Sequence, residues 1–169
     1  FALSHGVNFG KLKKKNIDDR EIFLDALINK NKKFTFNILG YANEQPKWNY
    51  QFYKEIAKCK MALNLSRGRA MKYYSSNRIA SLVANGIMTF IDKRVGYSDF
   101  FDTKEMGFYK DVDDLLNQMD KLYGDINKIN KISKNGKKRY FSIFNNLIVS
   151  DYIISKTFNR NSKFKYIWE

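Results

Sequence analysis

Short apolar runs alternate with segments of helical period along most of the chain. Residues 1–7, 34–39, 61–66 and 87–91 have the length of buried strands, and residues 105–109 have the length of an edge strand. Apolar residues recur at helical spacing in the segments between and after them, at residues 18–27, 48–59, 79–84, 111–122, 125–145 and 146–158. Four to six strands alternating with helices predict an α/β fold, a Rossmann-like, doubly wound and mostly parallel sheet.

The centre of this pattern is residues 61–92, which predict a strand, a loop, a helix and a second strand, the size of one βαβ unit. In open parallel sheets, ligands collect outside the carboxyl ends of the strands, where helix starts present unpaired N–H groups. The loop at 66–78 lies at that edge and carries three cations, Arg67, Arg69 and Lys72, beside two phenols, serine hydroxyls and the Asn77-Arg78 pair at a helix start. This composition predicts a phosphorylated, hydroxyl-rich ligand such as a diphosphate.

Three details of the helices are also predicted. Ile22, Phe23, Ala26 and Leu27 form the apolar face of the first helix, and Gly136 interrupts the helical region at 125–145. Cys59 falls on the apolar face of the second helix, which favours a core residue over a nucleophile.

At 169 residues, with 44% hydrophobic and 16% aromatic residues, the chain is long enough for one core. We expect a single domain over 1–169, in which 146–169 form a C-terminal helix and a basic tail. The chain begins with Phe1 instead of Met, so we expect a fragment of a longer two-domain protein whose N-terminal domain is missing. The chain has one cysteine and no long apolar run, so we expect neither a disulfide framework nor a membrane span. These features favour a cytoplasmic location.

The formal net charge of +14 raises the question of anionic partners. No recognised nucleic-acid-binding motif accompanies the charge, and the Lys-, Asn- and Ile-rich composition is typical of an AT-biased genome, so nucleic acid is not the favoured partner. Peripheral contact with an anionic membrane, at its inner face, remains open, particularly for the basic region at 125–145.

The run from Cys59 to Asp92 resembles a known family. With Ala-Leu-Asn-Leu at 62–65, Ser-Asn-Arg-Ile at 76–79 and Ala-Asn-Gly-Ile at 84–87, it is similar to the nucleotide-sugar-binding C-terminal domain of GT-B, group 1 glycosyltransferases, typified by CgeB-like spore-coat proteins. The resemblance covers roughly residues 1–157. It implies transfer of a sugar from a nucleotide-diphosphate sugar to an acceptor, in surface glycan or polysaccharide biosynthesis.

The resemblance implies no metal and no cofactor, because cations and backbone dipoles hold the diphosphate. The implied partners are the nucleotide sugar, an acceptor glycan or other acceptor, and the missing N-terminal domain, which supplies most acceptor contacts. The isolated domain is therefore expected to bind nucleotide but to turn over little. The catalytic residues are unknown; Asp92 or Asp99 is a candidate near the sugar, and the lone His5 is read as a strand-end residue.

The resemblance also implies the donor-binding residues. Gly6, Lys11 and Arg20 approach the phosphates, and Gly40 with Tyr41 lies beside the base. In the family a Glu holds the ribose hydroxyls, and Ser81 occupies that position here. The remaining predicted contacts come from the central loop and helix start: Arg67, Tyr74, Ser75, Ser76, Asn77 and Arg78.

Alternatives stay open for several of these residues. Lys11 could belong to a solvated lysine cluster, Arg20 could be exposed on the first helical turn, and Gly40-Tyr41 could be a strand-ending glycine with a surface tyrosine. For the whole chain, the alternative is a non-catalytic Rossmann-like binding module for nucleic acid, a membrane surface or a partner protein.

Overall fold

The computed structural model describes residues 19–41, 44–66 and 70–169. The elements in chain order are α1 (Asp19–Lys30), α2 (Asn49–Ile56), β1 (Met61–Asn64), α3 (Arg78–Val83), β2 (Met88–Asp92), β3 (Gly107–Tyr109), α4 (Val112–Asp120), α5 (Ile126–Ile143) and α6 (Asn146–Thr157). Two short 3-10 turns, Lys93–Val95 and Tyr97–Asp99, lie between β2 and β3.

The three strands form one parallel sheet in the order β1-β2-β3. Met61 is opposite Met88 in the first pair, and Phe90 is opposite Gly107 in the second. A Cβ atom on Gly107 would lie 2.2 Å from the ring of Phe90, so this register requires glycine at position 107. The parallel sheet and its helices confirm the predicted α/β, Rossmann-like fold.

Both faces of the sheet are covered, as a parallel sheet requires. On one face Phe90 and Tyr109 pack in a core cluster with Leu24 of α1 and Leu115 of α4. On the other face Ile91 packs with residues of α3, the 3-10 turns and the end of α5. Successive β2 residues therefore point to opposite sides, and the first four residues of the strand are buried.

The prediction of a strand at 34–39 is wrong, because the structure has only an isolated β-bridge, at Leu39, in this stretch. The side chain of Asn31 accepts a hydrogen bond from the backbone N–H of Phe34 at 2.9 Å and donates one to its carbonyl at 2.6 Å. Both backbone groups of Phe34 are thus used by a turn. High strand propensity could not reveal this competing partner. The predicted strand at 1–7 lies outside the described residues.

The buried face of α1 differs from the prediction in two positions. Ile22 is 62% exposed, whereas Leu24 and Leu27 are buried. Arg20 is only 6% exposed and lies one turn before Leu24 on the same stripe. The alternative of an exposed Arg20 is therefore wrong, and a pattern search restricted to apolar residues misses it.

The predicted interruption at Gly136 is also wrong, because α5 runs without a break from Ile126 to Ile143. A Cβ atom at position 136 would lie 2.2 Å from the carbonyl oxygen of Glu105. On either side of this contact Asn135 donates to the Lys104 carbonyl and Arg139 to the Phe100 carbonyl. The glycine therefore serves close packing of α5 against the loop before β3.

Cys59 lies three residues beyond the end of α2 and is half-buried, with its sulfur 3.6 Å from the carbonyl oxygen of Glu55. In the described part of the chain, every helix is too short or too polar to cross a membrane.

Candidate functional site

The candidate site lies at the carboxyl ends of β1 and β2, where the loop before α3 meets the sheet. Asn64, the last residue of β1, is 1% exposed, and its side-chain carbonyl accepts a hydrogen bond from the Ser76 hydroxyl at 3.0 Å. The guanidinium of Arg78 donates to the Leu65 carbonyl at 2.7 Å. These two bonds hold the first turn of α3 against the end of β1.

The charge of Arg20, on α1, acts on Arg78 at this edge. Arg78 is half-buried, and burial lowers its pKa to about 10, with a further contribution from the nearby charge of Arg20. The hydroxyl of Tyr74 opposes this shift. Because like charges repel in a partly desolvated place, an anion bound between Arg20 and Arg78 would be stabilised there.

Three polar side-chain atoms at the strand ends are buried and have no hydrogen-bond partner among the described residues: Asn64 Nδ2, Ser66 Oγ and the Tyr109 hydroxyl. Burial raises the pKa of Tyr109 above its ordinary value, and the carboxylate of Asp92 raises it further. Tyr109 therefore lies near the end of β2. Buried polar groups are rarely left unsatisfied, so these atoms are candidate ligand contacts.

The loop that leads to α3 is fixed on the loop after β2. The backbone N–H of Tyr73 donates to the Val95 carbonyl at 2.7 Å, and its hydroxyl donates to Asp99 at 2.7 Å. The Tyr97 hydroxyl donates to Ser75 Oγ at 3.3 Å. The loop that contains the predicted contacts is thus held by the end of β1 and by the loop after β2.

The start of α3 differs from the bare helix end that the sequence predicts. The helix has six residues, and the N–H of Ile79 donates to the Ser76 carbonyl at 3.0 Å. Asn77 has helical backbone angles and its side chain caps nothing. Side chains, more than free amides, therefore define this corner.

The two candidate carboxylates after β2 both have partners. Arg94 donates to both oxygens of Asp92 at 2.6 to 3.1 Å, and Asp92 also accepts from the Arg94 N–H at 2.8 Å. Asp99 accepts from Tyr73. Each carboxylate is therefore held in place by a neighbouring loop residue.

The other predicted residues are more scattered. Gly6, Lys11 and Arg67 lie outside the described residues. Gly40 is buried with a φ of +79°, which favours glycine, and the Tyr41 hydroxyl donates to the carboxylate of Asp25 on α1. Ser81 is half-buried on α3, and its carbonyl accepts from the side chain of Asn85 at 2.6 Å.

The structure thus brings Ser76 and Arg78 together at the end of β1, and the charge of Arg20 acts on Arg78. Sequence reasoning missed Ser66 and Tyr109 as candidate contacts. Tyr109 carries no signal of its own, because a tyrosine in a short strand is an ordinary packing residue. For Ser66, the available signal is a polar position just past a buried strand.

An apolar cavity of about 760 Å³ lies elsewhere, between β1, residues 34–38 and the start of α5. Leu63, Phe36, Met119 and Ile129 contribute to its walls, and none of the predicted site residues that the structure describes does. Its position places it apart from the cluster of cations and hydroxyls at the strand ends.

Comparison with known proteins adds the family. The model of a glycosyl transferase-like family matches residues 19–146, which include the three described strands, α3, Arg20 and Arg78. No curated protein and no solved structure shows significant similarity to the chain. The match covers well over half of the sequence and supports the group 1 glycosyltransferase resemblance of the central unit. The chain therefore belongs to the glycosyl transferase-like family.

Proposed function

We propose that this chain is the donor-binding part of a glycosyltransferase. The crevice that such a sheet is expected to form outside the ends of β1 and β2 would hold the diphosphate of a nucleotide sugar. The observation that carries the proposal is that Arg78 is fixed at the end of β1, where the buried amide nitrogen of Asn64 has no partner among the described residues. The charge of Arg20 also acts on Arg78. Guanidinium groups and amide N–H donors together suit phosphate oxygens. The family match supports the class of reaction, and the groups at the strand ends support the place.

In the proposed reaction the bond between the anomeric carbon and the diphosphate oxygen breaks, and a bond from the acceptor hydroxyl to that carbon forms. Negative charge builds up on the departing diphosphate, and the acceptor proton passes to a base outside the residues assigned here. Arg20 and Arg78 would stabilise the leaving group. The hydrogen bond from Arg78 to the Leu65 carbonyl fixes the guanidinium beforehand, so little reorganisation is needed.

The two guanidiniums would bind the diphosphate directly, without a metal ion or a cofactor. Ser76 and Ser75 lie next to these groups and would donate to phosphate or sugar oxygens once their present hydrogen bonds rearrange. Ser81, one turn beyond Arg78 on α3, would offer the ribose a hydroxyl in place of a carboxylate. We expect the acceptor to be a glycan or another hydroxyl compound in surface polysaccharide biosynthesis.

Calorimetric titration of the chain with UDP, GDP and ADP tests the proposal. We expect at least one nucleoside diphosphate to bind, and Arg78→Gln to weaken its binding by about tenfold or more, as loss of a charge-assisted contact predicts. Arg160→Gln, an exposed arginine outside the crevice, is the matched control. Thermal unfolding of each variant separates loss of binding from loss of fold, and Arg78→Lys retains the charge if the glutamine variant unfolds.

Absence of binding by all three nucleotides at millimolar concentration would contradict the proposal. Equal losses in the Arg78 and Arg160 variants would move the diphosphate away from the crevice and would contradict the assignment of the site.

A further inference from the structure

One face of α6 is apolar and exposed. Leu147 is 67% exposed, Ile154 47% and Phe158 63%, and their spacing of seven and four residues aligns them in one stripe. Ile153, also exposed, borders the stripe. Single exposed apolar residues are common, but this row extends along about 16 Å of the helix.

The C-terminal tail fixes the orientation of this helix. The hydroxyl of Tyr166, a buried residue, donates to Asp151 at 2.7 Å, and its ring packs edge-on against Tyr152 with centroids 4.9 Å apart. Trp168 stacks on Phe144 with centroids 5.5 Å apart, and thereby joins the tail to the end of α5. The tail covers Asp151, which lies beside the stripe, and Tyr152, while Leu147, Ile154 and Phe158 remain exposed.

The charges of this region are strongly unequal. Residues 126–169 contain ten lysine and arginine residues and only two acidic residues, Asp151 and Glu169. Both acids are used internally: Asp151 accepts from Tyr166, Ser162 and the Lys163 N–H, and Glu169 pairs with Lys156 at 2.6 Å. The exposed surface of the region therefore presents apolar and cationic groups without a free carboxylate.

Cations directly adjoin the apolar stripe. The chain reverses after α6 at Asn159, which has a φ of +48°, and the Arg160 N–H donates to the Ser155 carbonyl at 2.9 Å. This turn places the Arg160 guanidinium 5.3 Å from the centre of the Phe158 ring. Lys163 and Lys165 similarly flank the exposed Phe164.

We infer that this surface, defined by Leu147, Ile153, Ile154, Phe158 and Arg160 and called here the α6 surface, docks on an anionic lipid bilayer. A bilayer interface accepts apolar side chains while its headgroups attract the neighbouring cations. A second copy of the chain would bring two cationic surfaces together, which charge repulsion opposes. A nucleic acid would satisfy the cations but leave the aliphatic side chains without a partner.

This inference is independent of the donor site, because the α6 surface contains none of the residues assigned to the diphosphate. The α6 surface would contact the interface of the bilayer. The fixed tail presents the stripe without prior unfolding, so binding needs no large ordering cost.

Co-sedimentation of the chain with lipid vesicles is the test. We expect binding to vesicles of phosphatidylcholine mixed with phosphatidylglycerol, weaker binding to phosphatidylcholine alone, and release by high salt. The double variant Ile154→Ser/Phe158→Ser should weaken binding by about tenfold or more, because it removes two apolar anchors. The matched control Ile22→Ser removes an equally exposed apolar residue from α1 and should bind as the parent chain does.

Arg160→Gln should weaken binding to the anionic vesicles and should leave binding to phosphatidylcholine vesicles unchanged. Circular dichroism verifies the fold of each variant, and Leu147→Ser replaces the double variant if that one unfolds. Three results would overturn the inference: no binding to anionic vesicles, equal losses in the α6 and Ile22 variants, or loss of a self-associated species in place of loss of vesicle binding.

Discussion

The hydroxyl of Ser76 donates a 3.0 Å hydrogen bond to the side-chain carbonyl of Asn64, and so joins the loop before α3 to the last residue of β1. Asn64 is buried, so its carbonyl has no access to water if Ser76 is lost. Ser76→Ala is expected to lower the free energy of unfolding by about 1–2 kcal/mol. Urea denaturation measures this change, and Ser150→Ala, an exposed serine on α6, should have almost no effect.

The same hydrogen bond leaves the amide nitrogen of Asn64 as a buried donor with no partner among the described residues. If it contacts the donor diphosphate, Asn64→Leu should weaken nucleoside diphosphate binding by about tenfold, since one hydrogen bond to a charged oxygen is lost. Calorimetry with the nucleotide that binds the parent chain is the measurement. Asn117→Leu on the exposed side of α4 is the control, and equal affinities for the two variants would remove Asn64 from the site.

Gly136 on α5 faces the carbonyl oxygen of Glu105 at a distance that excludes a methyl group. Alanine normally stabilises a helix by about 1 kcal/mol relative to glycine. Here we expect Gly136→Ala to destabilise the fold by about 1–3 kcal/mol, because the backbone of the neighbouring loop must move.

Gly124→Ala is an informative comparison for that experiment. Its added Cβ has open space within 4 Å, but its φ is +81°, so only backbone strain of about 1 kcal/mol opposes the substitution. Denaturant unfolding measures both variants. If Gly136→Ala raises the unfolding free energy, α5 and the loop before β3 separate easily, and the expectation is wrong.

Glu55 on α2 receives hydrogen bonds from Lys47 at 2.8 Å, Lys58 at 2.9 Å and Asn37 at 3.1 Å. The hydrogen bond from Lys47 is the largest cause, and together these donors lower the pKa of Glu55 from 4.5 to about 2. The carboxylate therefore contributes stability above pH 4.5, and this contribution is lost as the pH falls towards 2.

Comparison of the parent chain with Glu55→Gln across this pH range tests the assignment. The difference in unfolding free energy should be largest near neutral pH and should shrink on acidification. Lys47→Gln should also weaken the pH dependence of the unfolding free energy, because it removes the largest cause of the lowered pKa of Glu55. A difference that stays constant from neutral to acid pH would exclude Glu55 as the group that titrates.

The sequence predicts the central βαβ unit closely because its signals are local. The apolar run at 61–66, the helical period at 79–84 and the glycine at 86 place β1, α3 and β2 to within one or two residues. The stretch at 34–39 has an equally good strand composition, but the Asn31 side chain occupies the backbone of Phe34. Composition contains no information about such a competing bond.

The same distinction holds for the candidate site: its place could be predicted from the sequence, but several of its contacts could not. Its place at the strand ends follows from the order of the elements, and the structure brings Ser76 and Arg78 there. The burial of Arg20, the partner of Asp99, and the Tyr109 hydroxyl that has no partner among the described residues depend on elements far apart in sequence. Periodicity describes one element at a time, so it could not predict these relationships.

The contact between Phe90 and position 107 places a condition on evolution within the family. A side chain on residue 107 and a phenyl ring on residue 90 would occupy the same space between β2 and β3. Relatives that carry alanine or a larger residue at 107 should therefore have a smaller residue than phenylalanine at 90, and the two positions should change together.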